Sequence, residues 1–136
     1  MKNSIAAQER EQLVQQARKT AEFAYAPYSR FRVGAAVLGE QTIYSGTNVE
    51  NASFGLTLCA ERSALSAAVA AGDHRIRAIA VACIDANPGD AMGAQMPCGA
   101  CRQWISELAP NATIFIAGRD EEFVIGDLLP HAFRLT

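Results

Sequence analysis

Cys59-Ala60-Glu61-Arg62-Ser63-Ala64-Leu65-Ser66-Ala67-Ala68-Val69-Ala70-Ala71-Gly72 is the stretch from which the fold reads outward. Alanine and leucine, both strong helix formers, dominate it, and a glycine, the common helix stop, closes it. The composition predicts a helix over residues 59–71 that begins at a cysteine. Downstream, residues 76–84 form an apolar run with the composition of a buried strand. Residues 85–97, with Pro88, Gly89 and Gly93, read as a loop. Pro97 then opens a second helix over 98–108, and Pro110 follows its exit. Thr113-Ile114-Phe115-Ile116-Ala117 is a further strand. Phe123-Val124-Ile125 is a short one, followed by a helical turn near Leu128-Leu129.

Upstream, Leu13, Val14, Ala17, Ala21 and Ala24 recur at spacings of three and four, which predicts a helix over 5–25 that Pro27 stops. Residues 31–38 read as a strand, Gly39-Glu40-Gln41 as a turn, and Thr42-Ile43-Tyr44-Ser45-Gly46 as the hairpin partner. Residues 47–57 show no clear periodicity and read as a loop. The order α-β-β-α-β-α-β-β implies an α/β fold, a mixed sheet covered by helices.

A chain of 136 residues fits one domain, 1–136, and can bury a core without disulfide staples. Half of the residues are hydrophobic (50%), which disfavours disorder. Twelve basic residues are scattered among 14 acidic ones for a net charge of −2, so an electrostatic nucleic-acid binder is disfavoured. Met1-Lys2-Asn3-Ser4-Ile5 leads into Gln-, Glu- and Arg-rich sequence without the apolar run of a secretory signal, and no stretch has the length of a membrane span. A cytoplasmic location follows as the expectation, and there four cysteines point to metal or catalysis before disulfides.

Three of those cysteines stand at helix starts: Cys59, and Cys98 with Cys101 in Pro97-Cys98-Gly99-Ala100-Cys101. Helix N-termini present unpaired N–H groups and a partial positive charge, and both favour the metal-binding thiolate. Cys98 and Cys101, at i and i+3, share a helical face. Three soft ligands without an obvious fourth suggest a zinc ion with one coordination position left for water, as in catalytic sites. Glu61 is the natural proton handler for that water. Zn²⁺ with three thiolates sums to −1, and Arg62 is placed to offset that charge by donating hydrogen bonds to sulfur. Each residue also has a plainer reading. Glu61 could simply complement a helix dipole, Arg62 could be a solvated arginine, and Cys98 with Cys101 could be a redox pair. Cys83, inside an apolar strand, reads as a small buried hydrophobe.

Cys59-Ala60-Glu61-Arg62 with Pro97-Cys98-Gly99-Ala100-Cys101-Arg102-Gln103 resembles the zinc-dependent cytidine deaminases in their small form with three cysteine ligands. Three more segments carry the resemblance: Tyr25-Ala26-Pro27-Tyr28-Ser29 with Phe31-Arg32-Val33-Gly34-Ala35-Ala36; Asn48-Val49-Glu50-Asn51-Ala52-Ser53; and Leu128-Leu129-Pro130-His131-Ala132-Phe133. It implies a three-layer α/β/α fold with a mixed five-stranded sheet. It also implies one zinc per subunit and a homotetramer whose sites are shared between subunits. The implied reaction is hydrolytic deamination of cytidine and deoxycytidine by zinc-activated water, in pyrimidine salvage.

By the same resemblance Asn48 and Glu50, with Val49 between them, hold the ribose 3′-hydroxyl. Phe31 and a neighbouring subunit's copy of Phe133 sandwich the base, and backbone groups of Ala60 and the Pro97 region read its amide edge. Phe54 stands where many relatives carry tyrosine, which removes a donor from the 5′ side of the sugar. Neither nucleic acid nor membrane is implied as a partner. Three alternatives remain open at the level of sequence. They are a deaminase of another cytosine nucleoside, a structural zinc module with Cys83 or a histidine as fourth ligand, and a thiol–disulfide oxidoreductase.

Overall fold

The computed structural model describes residues 4–136; the reading of the first three residues as part of a leaderless start lies outside that range. Five strands form one mixed sheet in the order β2-β1-β3-β4-β5. They are β1 (Val33–Leu38), β2 (Ile43–Thr47), β3 (Ala78–Cys83), β4 (Thr113–Ile116) and β5 (Glu122–Val124). β1 runs antiparallel to both β2 and β3, β3 and β4 are parallel, and β5 returns antiparallel on β4. The helices are α1 (Ala7–Ala21), α2 (Ala60–Ala70), α3 (Gly99–Leu108) and the single turn α4 (Ile125–Leu128).

Side chains alternate across the sheet with the two-residue period of extended chain. Ala35, Val37, Ile79, Val81, Ile114 and Ile116 face one way and pack with Ala64, Leu65 and Ala68 of α2 and Ile105 of α3. Ala36, Leu38, Ala78, Ala80, Ala82 and Phe115 face the other way and pack with Leu13 and Ala17 of α1. Both faces are covered, which explains why these strands read as continuous apolar runs rather than as alternating ones. The result is the expected three-layer α/β/α architecture.

Two glycines set how closely the layers approach. A Cβ on Gly34 would lie 2.0 Å from the Ala17 carbonyl oxygen, and one on Gly46 would lie 2.5 Å from the Ala64 nitrogen. Gly34 therefore seats α1 on β1, and Gly46 seats the first turns of α2 on the end of β2. Ser63 fixes the latter contact by donating from Oγ to the Thr47 carbonyl at 2.9 Å.

Several boundaries differ from the sequence reading, among them Ile125, read as strand, which opens α4, and the 85–97 loop, which contains a 3-10 turn at Met92–Ala94. The first helix ends at Ala21 rather than 25, because Phe23 and Ala24 donate to carbonyls three residues back in a tightening turn, and Tyr25 exchanges hydrogen bonds with Asn48 and Glu50 instead. The first strand begins at Val33, since side chains hold the backbone of Phe31 and Arg32. The segment read as loop over 47–57 contains a 3-10 turn (Phe54–Leu56) and isolated bridges from Val49 to Tyr25 and Leu58. The helix stop at Gly72 holds, with that glycine at φ +81°, in the left-handed region where it carries no Cβ penalty.

Candidate active site

The first turn of α2 lies near the carboxyl end of β3, close enough for the charge of Glu61 to act on Cys83, and open α/β sheets commonly place their ligands at that end. Cys59 is the residue preceding α2 and Cys98 the residue preceding α3, each in extended conformation. Cys101 lies in the first turn of α3 and is fully buried. The three sulfurs lie within 4.8 Å of one another, and those of Cys59 and Cys98 are 3.7 Å apart. Tetrahedral zinc with Zn–S bonds of about 2.3 Å requires sulfur–sulfur distances of roughly 3.8 Å, so the cluster fits that ion with little adjustment. Among the described residues the cluster comprises these three ligands, without Cys83 or a histidine. A structural zinc module would need that fourth protein ligand.

The surroundings are arranged to hold negative charge. The Cys101 amide donates to the Cys98 sulfur at 3.4 Å, and Arg62 Nη2 donates to the Cys59 sulfur at 3.3 Å. The Cys59 thiol is drawn down to about 5, chiefly by the hydrogen bond from Cys101 and then by those from Arg62 and Cys98, against the cost of burial. Cys101 is pushed up, first because its proton is held toward Cys59 and then by burial. The thiols thus share protons that a metal displaces on binding. Arg62 is held in its charged form mainly by Cys59. Its Nε is buried with no hydrogen-bond partner among the described residues, so the side chain is committed to sulfur through its Nη atoms.

Glu61 sits in the first turn of α2, 4% exposed. Burial is the main force that pushes its carboxyl up to about 7, with the charge of Cys59 adding to it. A group poised there exchanges protons in both directions near neutrality. Cys83 is pushed up to about 12 by burial and then by the charge of Glu61, and remains a thiol packed against the core.

The other candidate residues occupy a connected stretch of irregular chain. Val49 pairs through its backbone with Leu58, which brings residues 48–50 alongside the approach to Cys59. Asn48 is buried and its amide spans two backbone groups, donating to the Phe31 carbonyl at 2.8 Å and accepting from the Val33 amide at 2.9 Å. Glu50 accepts from the amides of Tyr28 at 2.9 Å and Ser29 at 3.1 Å, and from the Ser29 hydroxyl. Both side chains point at the 28–33 segment. Each also keeps unused hydrogen-bonding capacity: one amide N–H on Asn48 and roughly one acceptor position on Glu50. Beside them, Tyr28, Ser29, Glu50, Phe54 and Thr57 line a hollow of about 280 Å³, with the Tyr28 and Phe54 rings edge to face at 5.8 Å. Phe133 is 70% exposed, and its carbonyl accepts from Gln103 Nε2 at 3.1 Å.

Three residues absent from the candidate set support this arrangement. Asp85 clamps Arg32, accepting from its amide at 2.8 Å, its Nε at 2.9 Å and its Nη2 at 2.8 Å. Arg102 donates to the carbonyls of Pro97 and Leu128, both at 2.8 Å, and so ties the α3 entry to the C-terminal segment. Ser29 links Glu50 to the Phe31 backbone. Asp85 carried no local signal, and Ser29 was marked only by its place in the Tyr25–Ser29 segment, because their partners are distant or hidden in irregular chain. The only pointer to Arg102 was its place in the motif after Cys101.

Residues 7–117 match the family model of the cytidine and deoxycytidylate deaminase zinc-binding region. The chain belongs to that family. The cytidine deaminase of Halalkalibacterium halodurans is 43% identical over 130 residues, covering 92% of this chain and 94% of the relative. That of Mycobacterium tuberculosis is 44% identical over 113 residues, covering 82% of this chain and 80% of the relative. The crystal structure of cytidine deaminase from Burkholderia pseudomallei superposes with a TM-score of 0.79 at 43% identity, covering 90% of this chain and 98% of that one. The corresponding Mycobacterium tuberculosis crystal structure gives 0.78 at 41% identity, over 93% and 98%. All three cysteines of the cluster and Glu61 fall inside the residues that the deaminase family model matches.

Proposed function

We propose that this chain is a zinc-dependent hydrolase that deaminates cytidine and deoxycytidine to uridine and deoxyuridine with release of ammonia, in pyrimidine salvage. The observation that carries this reading is the juxtaposition of a three-cysteine cradle with a buried carboxylate in the same helical turn as Cys59, in a member of the deaminase family. Cys59, Cys98 and Cys101 would hold one zinc ion per subunit. When bound, zinc supplies the Lewis acidity that makes water a competent nucleophile at neutral pH.

The remaining work falls to the chain. Glu61 accepts a proton from the attacking water and passes it to ring N3, which leaves C4 electrophilic. After oxygen has added at C4, Glu61 takes the second water proton and delivers it to the departing amino group. The products are ammonia and a uracil ring with a C4 carbonyl and a proton on N3, so two protons leave water and both are accounted for. One carboxylate serves both transfers because each proton it accepts it returns. Arg62 lowers the negative charge on the cradle, and backbone groups of Ala60 and the Pro97 region read the amide edge of the base.

Phe31 would stack on the pyrimidine, and Asn48 and Glu50 would hold the 3′-hydroxyl with the hydrogen-bonding capacity their internal contacts leave. Phe133 would complete the site of a neighbouring subunit in a homotetramer, each chain contributing one domain. Its exposure, with that of Phe54, Leu56 and Leu135, supports burial against another copy. Four free cysteines support a cytoplasmic location, and no helix among the described residues is long and apolar enough to cross a membrane. The test is direct: incubate the protein with cytidine, follow its conversion to uridine, and repeat after chelation and zinc restoration. Turnover that survives full removal of zinc would sink the proposal.

A further inference from the structure

Ser29 occupies the one position where the elements proposed to hold the sugar and the base meet. Its hydroxyl donates to Glu50 Oε2 and accepts from the Phe31 amide at 3.0 Å. Its own amide donates to the other Glu50 oxygen at 3.1 Å, beside that of Tyr28 at 2.9 Å. On the far side of Phe31, Asn48 takes the Phe31 carbonyl at 2.8 Å. The backbone around Phe31 is therefore held at its N–H by Ser29 and at its carbonyl by Asn48. Ser29 in turn is bonded to Glu50. Arg30, between Ser29 and Phe31, has φ +57°, a left-handed conformation uncommon for a residue with a side chain. The Ser29 hydroxyl closes the turn over it.

A serine hydroxyl has one proton to give and two lone pairs to receive, so both bonds are made at once. An alanine at this position loses both links, whereas a threonine keeps both. The Ser29 hydroxyl is also the foremost influence holding the Glu50 carboxyl below the usual carboxylate range. No other side chain among the described residues bonds both Glu50 and the backbone of Phe31.

We infer that Ser29 is a positioning residue that couples sugar recognition to base recognition, by bridging the Glu50 carboxylate and the Phe31 backbone. This inference rests on the proposed roles of Glu50 and Phe31. The Ser29 hydroxyl is committed to Glu50 and Phe31 rather than to the cysteine cluster or Glu61, so the bridge acts on binding in ground and transition states alike. Binding of that uniform kind appears in KM with kcat preserved.

The experiment uses the zinc-loaded, full-length enzyme. Ser29→Ala raises KM for cytidine about tenfold, with kcat within about twofold of wild type. Ser29→Thr restores KM. Ser29 is exposed, so zinc content and thermal midpoint stay near wild type in both variants. The decisive measurement is a cycle of cytidine against 3′-deoxycytidine with and without Phe31→Leu, read in kcat/KM. In the Ser29 protein the two losses combine non-additively, by about threefold or more, and in Ser29→Ala they become additive. An unchanged KM in Ser29→Ala, a rise that threonine does not restore, or the same non-additivity in both backgrounds would each overturn the inference while leaving the deaminase reading intact. Absence of cytidine turnover by the unmodified, zinc-loaded protein would overturn that reading itself, and this inference with it.

Discussion

Cys59, Cys98 and Cys101 are placed by the first turns of two helices, whereas Phe31, Asn48 and Glu50 lie in or beside chain that belongs to no regular element. In the first region the backbone supplies the geometry. Helix N-termini lean on thiolates by their nature, and a spacing of three brings two of the sulfurs together. In the second region side chains supply it. Asn48, Asp85, Ser29 and Glu50 hold the backbone groups of residues 28–33. The proposed chemistry thus rests on local, repeatable structure, and the proposed recognition on a network joined across long stretches of sequence. The two should fail differently when damaged.

The largest expected effect is on the cradle. Cys101→Ala removes a fully buried ligand, and zinc stoichiometry measured by atomic emission should collapse together with activity. Glu61→Gln keeps the cradle and removes only the proton carrier. It should retain zinc and lose about 10³-fold in kcat; near-normal turnover with zinc bound would contradict the assignment. Arg62→Gln is intermediate, because it leaves the ligands but withdraws the guanidinium from the Cys59 sulfur. A competitive chelator should show zinc affinity weakened by about 10- to 100-fold.

Damage to the second region should appear in binding and stability rather than in kcat. Asn48→Ala leaves the Phe31 carbonyl and the Val33 amide without their partner in a partly buried place, at about 1 kcal/mol of stability by denaturant titration, with KM raised about tenfold. The smallest effect is the pH response of the Arg32–Asp85 clamp. Hydrogen bonds from Arg32, side chain first and backbone next, hold the Asp85 carboxyl down at about 2, below its ordinary value of 3.8. A depressed carboxylate stabilises the fold fully above the unfolded value and loses that contribution as pH falls toward the folded one. Between about pH 4 and pH 2, wild type should therefore lose slightly more stability than Asp85→Asn, a modest difference because the pair is partly solvent-exposed. Parallel acid-unfolding curves for the two proteins would show that the clamp does not titrate as described.

The same contrast explains what could be read from the sequence. The start of α3 and the end of α2 were legible because Pro97, Gly72 and the cysteine spacing are short-range signals. Asn48 and Glu50 were marked by the family resemblance, but their partners were not, since Phe31 lies 17 residues from Asn48 and Ser29 lies 21 from Glu50. The early end of α1 was hidden for a related reason. Tyr25 leaves the helical pattern to pair with residues 48–50, a contact that periodicity in a single window does not encode. Phe31 and Arg32 have strand composition, yet their hydrogen bonds go largely to side chains, and composition is blind to that choice.

The entry to α3 carries a practical implication for anyone wishing to alter the protein. Pro97 is buried and its carbonyl is pinned by Arg102, so Cys98 is located by the helix on its C-terminal side rather than by the loop that precedes it. The crest of that loop, around Pro88 and Gly89, is exposed. Its length is thereby uncoupled from the placement of the sulfurs. A reporter peptide or a purification handle grafted at this crest should therefore leave the zinc content of the protein unchanged.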